Sequence, residues 1–143
     1  MFRLLALVCL MVTLVGCSSS YDAVAVADGG RDLGTHEVSA PPHEVREAMT
    51  YAGDMLSVGR DHLRLEDDDE PGRPLSFGCW SRDLVGSRWG VVVASVESHA
   101  SGSRVKLRGK LLGGNFWFGG RLRDAADGLW ANTVRDLRRD GWR

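Results

Sequence analysis

Between residues 104 and 111 the chain alternates strictly: Arg104, Lys106, Arg108 and Lys110 are interleaved with Val105, Leu107 and Leu111. Successive side chains of a strand point to opposite faces, so this period predicts a β-strand with one apolar face and one row of four cations. Such a strand cannot stand alone. It needs neighbours to complete its ladder and another layer to cover its apolar row.

The neighbours are legible upstream. Ser101-Gly102-Ser103 reads as a hairpin turn into this strand, and Trp89 to Val96 is a β-branched run suited to a central strand. Leu75, Phe77 and Cys79 alternate on one face. From Asp61 onward Leu63 and Leu65 alternate with His62, Arg64 and Glu66. Between these two runs, Asp67-Asp68-Asp69-Glu70 followed by Pro71-Gly72-Arg73-Pro74 breaks the pattern, because like charges repel and proline removes ladder donors. Thr35 to Val38 is read as a short strand, and Gly113-Gly114 as a turn into the aromatic run Phe116-Trp117-Phe118, whose expected place is the core, the alternative being an exposed loop that touches the bilayer or stacks on a sugar ring.

Two helices flank the strands. Ser39 is a good N-cap, Pro41-Pro42 suits a first turn, and Val45, Ala48, Met49, Ala52, Met55 and Leu56 recur at helical spacing as far as Gly53 or Gly59. A second stripe of Ala126, Leu129, Trp130, Thr133, Val134 and Leu137 predicts a helix from about Asp124 to Asp140, with Arg135, Arg138 and Arg139 near its end, where cations suit the dipole. The fold class expected is α+β: a two-layer domain whose antiparallel sheet of four to five strands carries an N-terminal and a C-terminal helix on one face. Val38-Ser39-Ala40-Pro41-Pro42 entering a helix, with a long helix at the end, resembles the helix-grip (START-like) lipid-binding folds. That resemblance implies, as a second reading, an anchored carrier holding a small hydrophobic ligand in a pocket of at least ~300 Å³ between sheet and last helix.

The first residues set the compartment. Behind Met1-Phe2-Arg3, Leu4 to Val15 is almost unbroken hydrocarbon, too short for the ~20 residues that span a bilayer, and it ends at small Gly16 before Cys17. Leu14-Val15-Gly16-Cys17 resembles the lipobox of bacterial lipoproteins, which implies cleavage before Cys17 and lipid attachment at its thiol, with the membrane as partner. Ser18 after the cysteine resembles the pattern sorted to the outer membrane in a diderm host. The expected organisation is a signal peptide over 1–16, a lipidated tether over 17–34 and a single domain over 35–143; Tyr21 to Ala27, with its alternating valines, is the one part of the tether able to form an edge strand. Cys9 leaves with the signal and Cys17 is taken by lipid, so Cys79 is the one mature thiol; it is expected to be buried and inert, and no internal disulfide is possible.

Charge is unevenly distributed. Residues 17 to 71 hold 4 Arg and no Lys against 13 Asp plus Glu, whereas residues 72 to 143 hold 13 Arg plus Lys against 6. The four cations Arg104, Lys106, Arg108 and Lys110 are the candidate anion-binding residues, for an anionic envelope polymer or lipid head group, because alternate strand positions project about 7 Å apart; otherwise they form a solvated face. His36, His43, His62 and His99 have no paired ligand spacing, Asp67 to Glu70 lacks the spacing of a calcium loop, and no nucleophile, phosphate-loop or metalloprotease motif is present. The sequence therefore points to a non-enzymatic binding or structural role, with no cofactor, metal or nucleic acid.

Overall fold

The computed structural model describes residues 21–67, 72–82, 88–113 and 118–142. In chain order the elements are α1 (Ala23–Gly29), β1 (Arg31–Val38), α2 (Pro42–Gly53), β2 (Ser57–Val58), β3 (Asp61–Asp67), β4 (Leu75–Ser81), β5 (Arg88–His99), β6 (Gly102–Leu111) and α3 (Gly119–Arg139). The strands form one antiparallel sheet in the order β1-β6-β5-β4-β3-β2. The class is α+β, as the alternation predicts, but the sheet has six strands where four to five were expected. The difference lies at its two edges. β1 is eight residues long and pairs with β6 from Arg31↔Gly109 to Val38↔Ser103, and the two-residue β2 caps the far side of β3.

α2 and α3 pack together on the inner face. Val45, Met49, Leu63, Leu75, Phe77, Trp89, Val92, Leu107, Leu122, Leu129 and Leu137 are at most 1% exposed and belong to one cluster. Glycine sets how closely the layers approach. A Cβ on Gly53 would strike the Phe77 ring and come within 2.7 Å of Leu129 Cδ1, and one on Gly109 would come within 2.6 Å of Leu33 and 2.8 Å of Leu122. Gly109 is the small member of the inward row of β6, and the start of α3 lies in the room it leaves.

Three expectations for the helices need correction. α2 ends at Gly53, so Met55, placed by its spacing on the apolar stripe, instead has a φ of 59° and is 63% exposed. α3 begins at Gly119 and not at Asp124; Leu122 in the added turn is buried, as is Ala125 just after it. Val134 is half-buried, whereas its neighbours Thr133 and Leu137 are buried. The Thr133 hydroxyl is satisfied within the helix, donating to the Leu129 carbonyl at 2.8 Å.

The described part of the segment expected to be tether, residues 21–34, is folded onto the domain. Residues 23–29 form α1 and residues 31–34 already belong to β1. Tyr21 to Ala27 forms no edge strand. Asp22 caps a helix instead, its carboxylate accepting from the Val24 amide at 2.9 Å, and Val26 packs on Val91 and Val93, the outward row of β5. A short strip of helix thus covers part of the sheet face opposite α2 and α3, a partial third layer beyond the two expected.

Candidate functional site

The outer face of the sheet gathers the residues with functional promise. Arg104, Lys106, Arg108 and Lys110 line it along β6, opposite the inward Val105 and Leu107. They are not four independent cations. Arg104 donates from Nε and Nη2 to Glu37 of β1, at 3.3 and 3.0 Å, and its Nη2 lies 3.0 Å from His99 Nε2. Lys106 lies 3.3 Å from Glu97 of β5. Cross-strand register decides this, since Glu37 and Glu97 both oppose Arg104. Arg108 donates to the Gly30 carbonyl at 3.3 Å, at the end of α1, and Lys110 is exposed.

The other side of the same face holds a cluster that spacing alone gave no reason to join. The Tyr21 hydroxyl donates to Glu66 and is hydrogen-bonded to Ser76, while the Arg88 guanidinium lies 5.2 Å from the Tyr21 ring centroid and donates to both Glu66 oxygens at 2.8 Å. Burial and the neighbouring Glu66 carboxylate push the Tyr21 phenol up, so it stays a neutral donor. Gly78 makes this possible, because a Cβ there would collide with the Glu66 carboxylate. Beyond it, exposed Arg64 lies 5.3 Å over the Trp80 ring, and His62 pairs in register with Trp80. Burial and then the fields of Arg64 and Arg82 push the His62 imidazole down.

On the inner face, Asp61 is 4% exposed and receives Arg121 Nε at 2.8 Å, a second Arg121 bond to its other oxygen, and Trp89 Nε1 at 3.1 Å. The Arg121 guanidinium lies 4.4 Å from the Phe118 ring centroid, and Phe118 stacks on Trp89. This group ties α3 to the start of β3. Of the aromatic run, Phe118 is half-buried against the core; Phe116 and Trp117 lie outside the described residues, as do Cys17 and Asp68 to Glu70. Cys79 is buried, and burial, reinforced by Asp61 and Glu66, pushes its thiol up, which removes the thiolate a nucleophile needs. No three His, Cys, Asp or Glu side chains among the described residues are grouped to hold a metal ion.

Between sheet and α3 the volume is filled by Leu122, Ala126, Leu129 and Leu137 against Phe77 and Trp89. An open groove of about 570 Å³ lies instead on the helix layer, between Glu44, Glu47 and Tyr51 of α2 and Asp136, Arg139 and Asp140 near the end of α3.

His36 is on the inward row of β1 and stacks on Trp130 of α3, centroids 4.5 Å apart. Its Nε2 is buried without a hydrogen-bond partner among the described residues, and burial holds its pKa below 6.5, partly opposed by Asp127. The unfolded chain then binds the proton more readily than the folded one, so stability is fully present above pH 6.5 and falls as the pH drops below it. The melting temperature should decline between pH 7 and 5, and His36→Phe, which keeps a ring on Trp130, should flatten that decline. An unchanged slope in the variant would discount His36.

No family model matches the chain, and no curated protein matches it. Among solved structures it is similar to a protein from Chromobacterium violaceum determined by X-ray crystallography, with 11% sequence identity and a TM-score of 0.37, over 73% of this chain and 91% of that one.

Proposed function

We propose that the protein is a lipid-anchored component of a bacterial cell envelope with a non-enzymatic binding or structural role at the membrane surface. The observation that carries this reading is the apolar run from Leu4 to Val15 that closes on Leu14-Val15-Gly16-Cys17, four residues before the docked Tyr21. A thioether-linked diacylglycerol at Cys17 gives two chains, and acylation of the freed amine adds a third. Each buried methylene contributes about 0.8 kcal/mol, which makes the attachment stable. In a diderm host the pattern at Ser18 favours the outer membrane.

Anion recognition on the basic row rests chiefly on Arg108 and Lys110, since Glu37 and Glu97 already balance Arg104 and Lys106. The filled interface between α3 and the sheet favours a surface role over the helix-grip alternative of carrying a hydrophobic ligand. Cys17→Ser should abolish lipid labelling and move the full chain from the membrane pellet to the soluble fraction. A variant that still sediments with membranes in detergent-free buffer would defeat the reading.

A further inference from the structure

We propose that the outer sheet face, beside α1, is the surface that lies against the lipid headgroups, with Arg64 and Lys110 meeting their phosphates. The inference deepens the anchored reading and rests on it. From Cys17 to Tyr21 there are four Cα steps, a reach of at most about 14 Å when fully extended. Tyr21 is fixed to the outer face by Glu66, Ser76 and Arg88, and α1 then crosses that face to Gly30, which lies against Gly109 of β6. A lipid on Cys17 therefore brings the bilayer to this side of the sheet, and the helix layer faces away.

The charges agree with that orientation. On the outer face Glu66, Glu37 and Glu97 are engaged by Arg88, Arg104 and Lys106. Exposed Arg64 and Lys110 stand at the two ends of one cross-strand row, Arg64 opposite Gly78, Gly78 opposite Val91 and Val91 opposite Lys110. His62 and Arg64 stand in the first half of β3, and the acidic run follows its other end. Trp80 supplies a half-buried indole beneath Arg64, a pairing of aromatic ring and cation suited to the interfacial layer, where amphipathic rings and basic side chains settle. The groove of the helix layer carries Glu44, Glu47, Asp136 and Asp140 against one cation, Arg139, and an anionic bilayer favours having it on the far side.

The test uses the full, lipid-modified chain in phosphatidylglycerol vesicles containing lipids brominated near the headgroup, with tryptophan fluorescence as readout. Wild type should be quenched, Trp80→Phe should lower the quenched intensity at least twofold, and Trp130→Phe, on the helix layer, should leave it unchanged. Arg64→Gln with Lys110→Gln should weaken Trp80 quenching in these vesicles more than in phosphatidylcholine. Vesicle-bound protein whose quenching is indifferent to Trp80→Phe, or is lost with Trp130→Phe instead, overturns the orientation and leaves the anchor standing. Failure of the wild-type chain to sediment with the vesicles overturns both.

Discussion

Arg121→Ala should destabilise the domain by about 3 kcal/mol, because it removes both Arg121 bonds from the buried Asp61 carboxylate, which keeps the Trp89 indole N–H as a donor. Removing one member of a buried ion pair costs about 3–5 kcal/mol. The lower end applies here, since the Arg121 side chain is 32% exposed and its charge is partly solvated in the native state. For a chain of this size the melting temperature should fall by roughly 10 °C. Asp61→Asn added to Arg121→Ala should recover part of the loss, a buried amide being less costly than a buried unpaired ion. A single variant that melts within ~2 °C of wild type would show that the pair contributes nothing net.

The second large effect separates two neighbours on α3. Leu137→Asp should unfold the protein, because Leu137 is 1% exposed within the main cluster and a carboxylate there has no partner. Val134→Asp should cost no more than ~1 kcal/mol and leave a folded domain, its side chain being half-buried beside Arg135 and Arg138. Helical spacing puts both residues on one stripe. Circular dichroism on the two variants decides between spacing and structure: equal unfolding would mean the stripe is as wide as the sequence implies.

The sequence by itself determined the elements whose period is strong: β6 with its cations outward, the β3 and β4 alternations, the buried run of β5 and the two long helices. Each of these follows from one face being apolar, which is a property of the segment alone.

What only the tertiary structure decided depends on partners distant in sequence. Tyr21 to Gly30 has a valine-alanine alternation that fits a strand; it becomes a helix because the outward row of Val91 and Val93 offers a surface to cover and because Asp22 caps it. That cap, an Asp directly before a short run with three alanines, was the one local signal available. The carboxylate partners of the basic row were equally hidden, since Glu37 lies 67 residues from Arg104 and both it and Glu97, across the hairpin, meet Arg104 only through register. The Tyr21, Glu66, Ser76 and Arg88 cluster draws on four separate segments, and no spacing rule joins them. Local periodicity records which face of an element is apolar; the long-range pairing of strands determines which charges and rings then stand side by side.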